Sequence, residues 1–160
     1  MSIERLRLIF ITGSHPNAPR SILSIVQSAL DAGAPAIQLR AKKARSRDTV
    51  ELGLRLRELT KAADALLLFN DRFDVARAVG ADGVHLGPDD VPVSAIRRIA
   101  PKRFLIGAST DQPTEAQRLV SEGANYIGCG TIYPTLSKLD AGPTIGLAGL
   151  QAVVDAVYVP

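Results

Sequence analysis

Residues 66–86 read Leu-Leu-Leu-Phe-Asn-Asp-Arg-Phe-Asp-Val-Ala-Arg-Ala-Val-Gly-Ala-Asp-Gly-Val-His-Leu. The four consecutive apolar residues at 66–69 indicate a strand that is covered on both faces. Residues 73–79 are predicted to form a helix that ends at Gly80, and residues 83–86 are predicted to form a second strand. A strand, a helix and a strand in such close succession are typical of a parallel sheet with helices outside it.

The same alternation continues along the chain. Parallel strands, each followed by a helix, are predicted near residues 6–12, 36–40, 66–69, 83–86, 104–107 and 125–128, and residues 157–159 resemble the start of a further strand. No G-x-G-x-x-G sequence follows the first strand, which disfavours a dinucleotide-binding sheet. We therefore predict an α/β fold of the TIM (β/α)8-barrel type, with about six βα units in this chain.

The length of the chain bears on this prediction. It has 160 residues, whereas a (β/α)8 barrel usually takes about 250. We expect residues 1–160 to form a single, C-terminally incomplete TIM-barrel domain that stops where a seventh strand would begin. An uncovered parallel edge favours association, so a homo-oligomer, exchanged elements or poor folding is expected.

Amino-acid composition and charge limit the kinds of core, partner and cellular location that the chain can have. Hydrophobic residues make up 46% and aromatic residues 4%, with no Trp, so an aliphatic core is expected. The net charge of +3 calls for no nucleic-acid partner and suits an anionic small molecule. One cysteine, Cys129, excludes an internal disulfide and favours a reducing cytoplasm. The apolar run at 6–11 is too short for a signal peptide or a membrane span.

Polar side chains are dense just after the predicted strands, where the active groups of barrels lie. In chain order they are Gln38, Arg40, Lys42, Asn70, Asp71, His85, Asp89, Asp90, Ser109, Thr135, Ser137 and Lys138. Helix capping alone requires only one Ser, Thr, Asp or Asn per helix, and these positions carry more polar residues than that. The segment 126–138 passes from strand-like residues through glycines to two hydroxyls and a lysine, a pattern that suits a phosphate group.

Two kinds of charged group stand out, and each has a plainer alternative. Arg40 and Lys42, with Lys43, suit a diphosphate clamp, because arginine binds two oxygens as a fork and lysine adds a point charge. The alternative is a solvated loop. Asp71 and Asp90 suit Mg²⁺, which takes one or two carboxylates together with phosphate oxygens. The alternative is a helix cap or a loop cap.

The remaining residues give weaker indications of function. The amide of Asn70 could orient a substrate heterocycle, because it both donates and accepts; the alternative is a turn residue. Gln38 could bind a ring nitrogen or an amino group of the substrate; the alternative is a buried amide with its hydrogen bonds satisfied. His85 lies in an apolar context, which favours a structural histidine over a general base, and Cys129 is interpreted as a small packing residue. Asp89 competes with Asp90.

Five segments, in order, resemble the thiamine phosphate synthase family. They are Ile37-Gln38-Leu39-Arg40-Ala41-Lys42, Phe69-Asn70-Asp71-Arg72, Ala81-Asp82-Gly83-Val84-His85-Leu86-Gly87-Pro88-Asp89-Asp90, Ile106-Gly107-Ala108-Ser109 and Tyr133-Pro134-Thr135-Leu136-Ser137-Lys138. The resemblance implies a barrel enzyme of thiamine biosynthesis, a transferase. It couples hydroxymethylpyrimidine diphosphate to thiazole phosphate and releases pyrophosphate.

The resemblance also implies roles for single residues. Metal ligands for Mg²⁺ fall on Asp71 and Asp90. Catalytic groups that stabilise the departing diphosphate in a dissociative reaction fall on Arg40, Lys42 and Lys138. The substrate-binding residues it implies are Gln38, Arg40, Lys42, Asn70, Ser109, Thr135, Ser137 and Lys138.

The chain departs from the family pattern in three places. Pro88 and Asp111 stand where many relatives carry glutamine and histidine. The loops after strands 7 and 8, which in relatives grip the thiazole phosphate, are expected to be absent. Two alternatives follow: a thiazole tautomerase-like paralogue, and a non-catalytic phosphate-binding barrel fragment.

Overall fold

The computed structural model describes residues 3–13, 20–42, 44–135 and 142–160, with residues 3 and 4 described by their backbone alone. A 3-10 helix at Ile3–Leu6 precedes the first strand. The strands are β1 (Phe10–Ile11), β2 (Ala36–Leu39), β3 (Leu66–Asn70), β4 (Gly83–Leu86), β5 (Leu105–Ser109) and β6 (Tyr126–Gly128). The α-helices are α1 (Ile22–Asp31), α2 (Ser46–Ala62), α3 (Phe73–Ala78), α4 (Val93–Ile99), α5 (Pro113–Ser121) and α6 (Gly146–Ala156).

The chain divides into two compact units, Met1–Val84 and His85–Pro160. In the first unit β2 pairs in parallel with both β1 and β3, with Gln38 opposite Ile11 and Leu68. In the second unit β5 and β6 are parallel, with Ser109 opposite Gly128. The predicted α/β alternation and parallel pairing are confirmed, while a complete (β/α)8 barrel and a single domain over residues 1–160 stay predictions.

The buried strand at the centre of the first unit matches its sequence pattern. Residues 66–69 of β3 are each at most 2% exposed. Helix α2 packs closely on this strand, because a Cβ added at Gly53 would lie 2.7 Å from Cζ of Phe69. Continuous apolar character therefore did indicate a strand covered on both faces.

Helix boundaries follow local rules that the sequence shows directly. The hydroxyl of Ser21 accepts a hydrogen bond from Ser24 N at 3.2 Å and caps α1. Gly33, just after that helix, has φ of +85°, and Gly80, after α3, has φ of +67°. Glycine adopts these left-handed conformations at no steric cost, which is why both helices stop there.

Two predicted strand segments are wrong in extent. The first strand, expected over 6–12, is only Phe10–Ile11, because Leu6 is buried from the 3-10 helix instead. Residues 157–159 do not form a strand, although Ile127 N of β6 donates to Pro160 O at 2.8 Å. Apolar residues can be buried from a turn as well as from a strand, so short apolar runs do not distinguish the two.

The carboxylate of Asp82, just before β4, ties two elements of the first unit together. Its Oδ2 accepts hydrogen bonds from Leu67 N of β3 at 2.8 Å and from Arg57 Nη1 of α2 at 2.6 Å. Asp82 and Arg57 are 19% and 28% exposed. The pair therefore fixes α2 against the backbone of β3.

Asn125, just before β6, has the equivalent position in the second unit. Its Oδ1 accepts from Ile106 N of β5 and from Arg97 Nη2 of α4, both at 2.8 Å. Asp82 and Asn125 each follow a Gly-Ala dipeptide, so the same arrangement, a side chain that joins a helix to a strand, occurs in both units.

Within the described residues, none of the helices has the length and apolar character needed to cross a membrane.

Candidate functional site

A cavity of about 80 Å³ opens at the carboxyl ends of β2 and β3 in the first unit. Three of the predicted site residues, Lys42, Asn70 and Asp71, line it. The other lining residues are Leu39, Ala41, Ala44, Thr49, Phe69 and Arg72. The cavity is therefore lined by apolar side chains from the ends of two strands and by polar side chains that carry charges of both signs.

Asp71 lies at a sharp turn between β3 and α3. Its φ of +66° is in the left-handed region, which Asp tolerates better than most residues. Arg72 N donates to Asn70 O at 2.7 Å and Phe73 N donates to Asp71 O at 3.1 Å, which holds the turn. The N-cap residue of α3 is Arg72, one residue after Asp71, and the assignment of Asp71 as a metal ligand stays a prediction.

Arg40 and Gln38 are placed by a residue that the sequence analysis did not single out. The hydroxyl of Thr12, 4% exposed, accepts from Arg40 N at 3.0 Å, and Thr12 N donates to Gln38 O at 2.9 Å. Gln38 itself is 3% exposed. The sequence signal for Thr12 is a hydroxyl residue directly after β1, the strand that pairs with β2.

In the second unit, His85 of β4 lies between two hydroxyl groups. Its Nε2 is 2.8 Å from Oγ of Ser109, and its Nδ1 is 3.1 Å from Oη of Tyr126. Burial lowers the pKa of His85 to about 4, although the charge of Asp90 opposes the shift. An imidazole with so low a pKa is a weak base, and both of its nitrogens are engaged, so the structural interpretation is favoured over a general base.

The loop after β4 distinguishes the two neighbouring aspartates. Oδ2 of Asp90 accepts from Gly87 N at 2.6 Å, and Asp90 N donates to Gly87 O at 3.2 Å. Asp89 is exposed, whereas Asp90 is half-buried. The loop-cap alternative thus accounts for one oxygen of Asp90, and its role as a metal ligand stays a prediction.

The remaining predicted residues differ in what the structure says of them. Thr135 is exposed, and Ser137 and Lys138 lie outside the described residues, as does Lys43. Burial raises the pKa of the Cys129 thiol, which fits a packing residue and not a nucleophile. In the described ranges, no group of three or more His, Cys, Asp or Glu side chains could hold a metal ion.

Comparison with known proteins decides the family. Residues 8–160 match the model of a family described as thiamine monophosphate synthase. The chain belongs to this family. That confirms the family predicted from the five motifs.

Several relatives within the family are similar over most of the chain. The thiamine-phosphate synthase of Moorella thermoacetica is 45% identical over 88% of the chain and 67% of the relative. That of Pyrococcus furiosus is 47% identical over 84% of the chain and 64% of the relative. The chain thus spans about two thirds of the length of these two relatives.

A solved member of the family gives the same result for the fold. The structure of a thiamine phosphate pyrophosphorylase from Pyrococcus furiosus superposes with a TM-score of 0.87 and 42% sequence identity, covering 99% of this chain and 74% of that one. The enzyme named for these relatives is the transferase that the sequence analysis predicted.

The neutral state of His85 leads to a pH dependence of stability. The pKa of His85 is 6.5 in its ordinary state and about 4 in the folded protein. Between these two pH values the unfolded chain therefore binds more protons than the folded protein does. The free energy of unfolding should therefore fall as the pH drops from 6.5 towards 4, by about 3 kcal/mol in total. Urea unfolding of the parent and His85→Gln at several pH values measures this.

Carboxylates also titrate near pH 4, so the difference between the two curves is the informative quantity. The chain has one other histidine, His15, which is present in both proteins and cancels in the difference. Parallel curves for parent and variant between pH 7 and 4.5 would show that His85 titrates normally in the folded protein.

Proposed function

We propose that this protein is a thiamine phosphate synthase, a transferase that couples hydroxymethylpyrimidine diphosphate to thiazole phosphate and releases pyrophosphate. The observation that carries the proposal is the cavity at the ends of β2 and β3, where Lys42, Asn70 and Asp71 meet. These residues come from the motifs that define the family resemblance. The names of the relatives favour the synthase over the tautomerase-like alternative.

In the first unit, four of the proposed site residues have side chains that suit their proposed substrate contacts. Arg40 and Lys42 bind the diphosphate, one as a planar fork and one as a point charge. Asn70 and Gln38 orient the aminopyrimidine, since a carboxamide both donates and accepts. The hydroxyl of Thr12 holds the backbone of Arg40 in place.

Mg²⁺ fits the acidic residues of the proposed site. Asp71 and Lys42 line the same cavity, and a carboxylate together with a cation suits a diphosphate that arrives with its own divalent ion. Asp90 is the second proposed ligand. When bound, the ion neutralises charge on the leaving diphosphate.

The proposed reaction depends on the stabilisation of negative charge more than on proton transfer. Arg40, Lys42 and Lys138 stabilise the negative charge that develops on the departing diphosphate. Ser109, Thr135 and Ser137 donate hydrogen bonds to phosphate oxygens. His85 is a weak base whose two nitrogens are engaged, which agrees with a site that needs no general base. A reducing cytoplasm as its location and a homo-oligomeric state belong to the same proposal.

Calorimetric titration with hydroxymethylpyrimidine diphosphate tests the proposal. We expect binding by the parent that strengthens with Mg²⁺, and a loss of about tenfold or more in the Mg²⁺-dependent affinity for Asp71→Asn, because one charged ligand is removed. Asp89→Asn, an exposed carboxylate one residue from Asp90, is the matched control and should bind like the parent. Affinity that is independent of the metal and equal in all three proteins would refute the assignment of Asp71.

A further inference from the structure

The imidazole of His85 connects two hydroxyl groups that come from neighbouring strands of the second unit. Ser109 is the last residue of β5 and Tyr126 the first of β6. The rings of His85 and Tyr126 are 5.4 Å apart between centroids and tilted by 32°. With bonds of 2.8 Å to Ser109 and 3.1 Å to Tyr126, both ring nitrogens are engaged.

Two glycines make room for this group. A Cβ at Gly107 of β5 would overlap the ring of Tyr126. A Cβ at Gly128 of β6 would lie 3.0 Å from Cε1 of His85 and 3.4 Å from Oγ of Ser109. Side chains at either position would displace the ring or the hydroxyl, so the backbone of both strands is shaped around the three groups.

We propose that His85 is a positioning residue, held by Tyr126 in the Nε2–H tautomer, which makes the hydroxyl of Ser109 a hydrogen-bond donor to a phosphate oxygen of the pyrimidine diphosphate. The inference rests on the proposed function, in which Ser109 binds substrate. It adds the two residues that set the direction of the Ser109 proton.

The number of protons on each group decides the tautomer. A neutral imidazole has one donor and one acceptor nitrogen. The phenol is a stronger acid than the serine hydroxyl, so Tyr126 donates to Nδ1, and Nε2–H then donates to Oγ of Ser109. The proton of Ser109 is left to point elsewhere, and a phosphate oxygen can only accept. In the Nδ1–H tautomer, Nε2 would be the acceptor, and Ser109 would donate its proton to His85 instead of to the phosphate.

Burial supports the neutral state that this requires. The pKa of His85 lies near 4 even with the negative charge of Asp90 acting on it. A doubly protonated ring would donate to both hydroxyls, so Tyr126 would no longer select a tautomer.

Nitrogen NMR of the chain with 15N-labelled histidine tests the tautomer at neutral pH. The expected result is an Nε2–H signature for His85 that is lost or mixed in Tyr126→Phe, which keeps the ring over Gly107 but removes Oη. Tyr158→Phe is the control, because Tyr158 is 89% exposed. An Nδ1–H signature in the parent, or no change in Tyr126→Phe, would overturn the proposal.

A double-mutant cycle on the affinity for hydroxymethylpyrimidine diphosphate with Mg²⁺ tests the role. Ser109→Ala should weaken binding about tenfold and Tyr126→Phe about threefold, and the double variant should bind no more weakly than Ser109→Ala. Independent, multiplicative losses would overturn the positioning role while leaving the proposed function intact. A parent that does not bind the diphosphate would instead overturn the proposed function, and with it the role assigned to Ser109.

Discussion

Replacement of Arg40 by alanine is expected to lower the single-turnover rate of thiamine phosphate formation by roughly 100-fold to 1,000-fold, the usual loss when one donor to developing charge is removed. Arg40 projects from the end of β2, where its backbone N–H is held by the hydroxyl of Thr12 at 3.0 Å. Because negative charge on the diphosphate grows as the bond breaks, the rate should fall more than the substrate affinity. Lys138→Ala should show the same division between rate and affinity.

Two further variants make the Arg40 result specific. Arg40→Lys keeps the charge but loses the fork, so an intermediate rate is expected. Arg47→Ala removes an exposed cation from the start of α2 and should react like the parent. Rapid-quench measurement with both substrates gives all the rates. If Arg40→Ala and Arg47→Ala matched, Arg40 would be a solvated loop residue.

Replacement of Asp82 by alanine is expected to lower the free energy of unfolding by about 3 to 4 kcal/mol. The carboxylate accepts hydrogen bonds from Leu67 N and from Arg57, and both charged side chains are mostly buried. Its removal leaves the guanidinium of Arg57 without its counter-charge and the amide of a central strand without an acceptor. Urea unfolding followed by circular dichroism gives the difference.

Asp82→Asn separates the two contributions, because the amide oxygen can still accept from Leu67 N. Its loss should therefore be smaller than that of Asp82→Ala. Glu51→Ala removes an exposed carboxylate from α2, the helix that carries Arg57, and should change stability by less than about 0.5 kcal/mol. A loss of that small size in Asp82→Ala as well would mean that the ion pair contributes little.

The order of elements and part of the site could be predicted from the amino-acid pattern. Burial of residues 66–69, and the helix ends before Gly33 and Gly80, depend on neighbouring residues in the chain, and local patterns carry that information. The meeting of Lys42 and Asp71 at one cavity was also foreseeable, because the carboxyl ends of paired parallel strands lie at the same edge.

Other features depended on contacts between residues that are far apart in the chain. His85 reaches Ser109 and Tyr126 across 24 and 41 positions, and Arg40 reaches Thr12 across 28. Hydrophobic periodicity shows which face of an element is buried, but it does not specify which polar groups meet on neighbouring strands. That depends on strand register, which only the packed sheet defines.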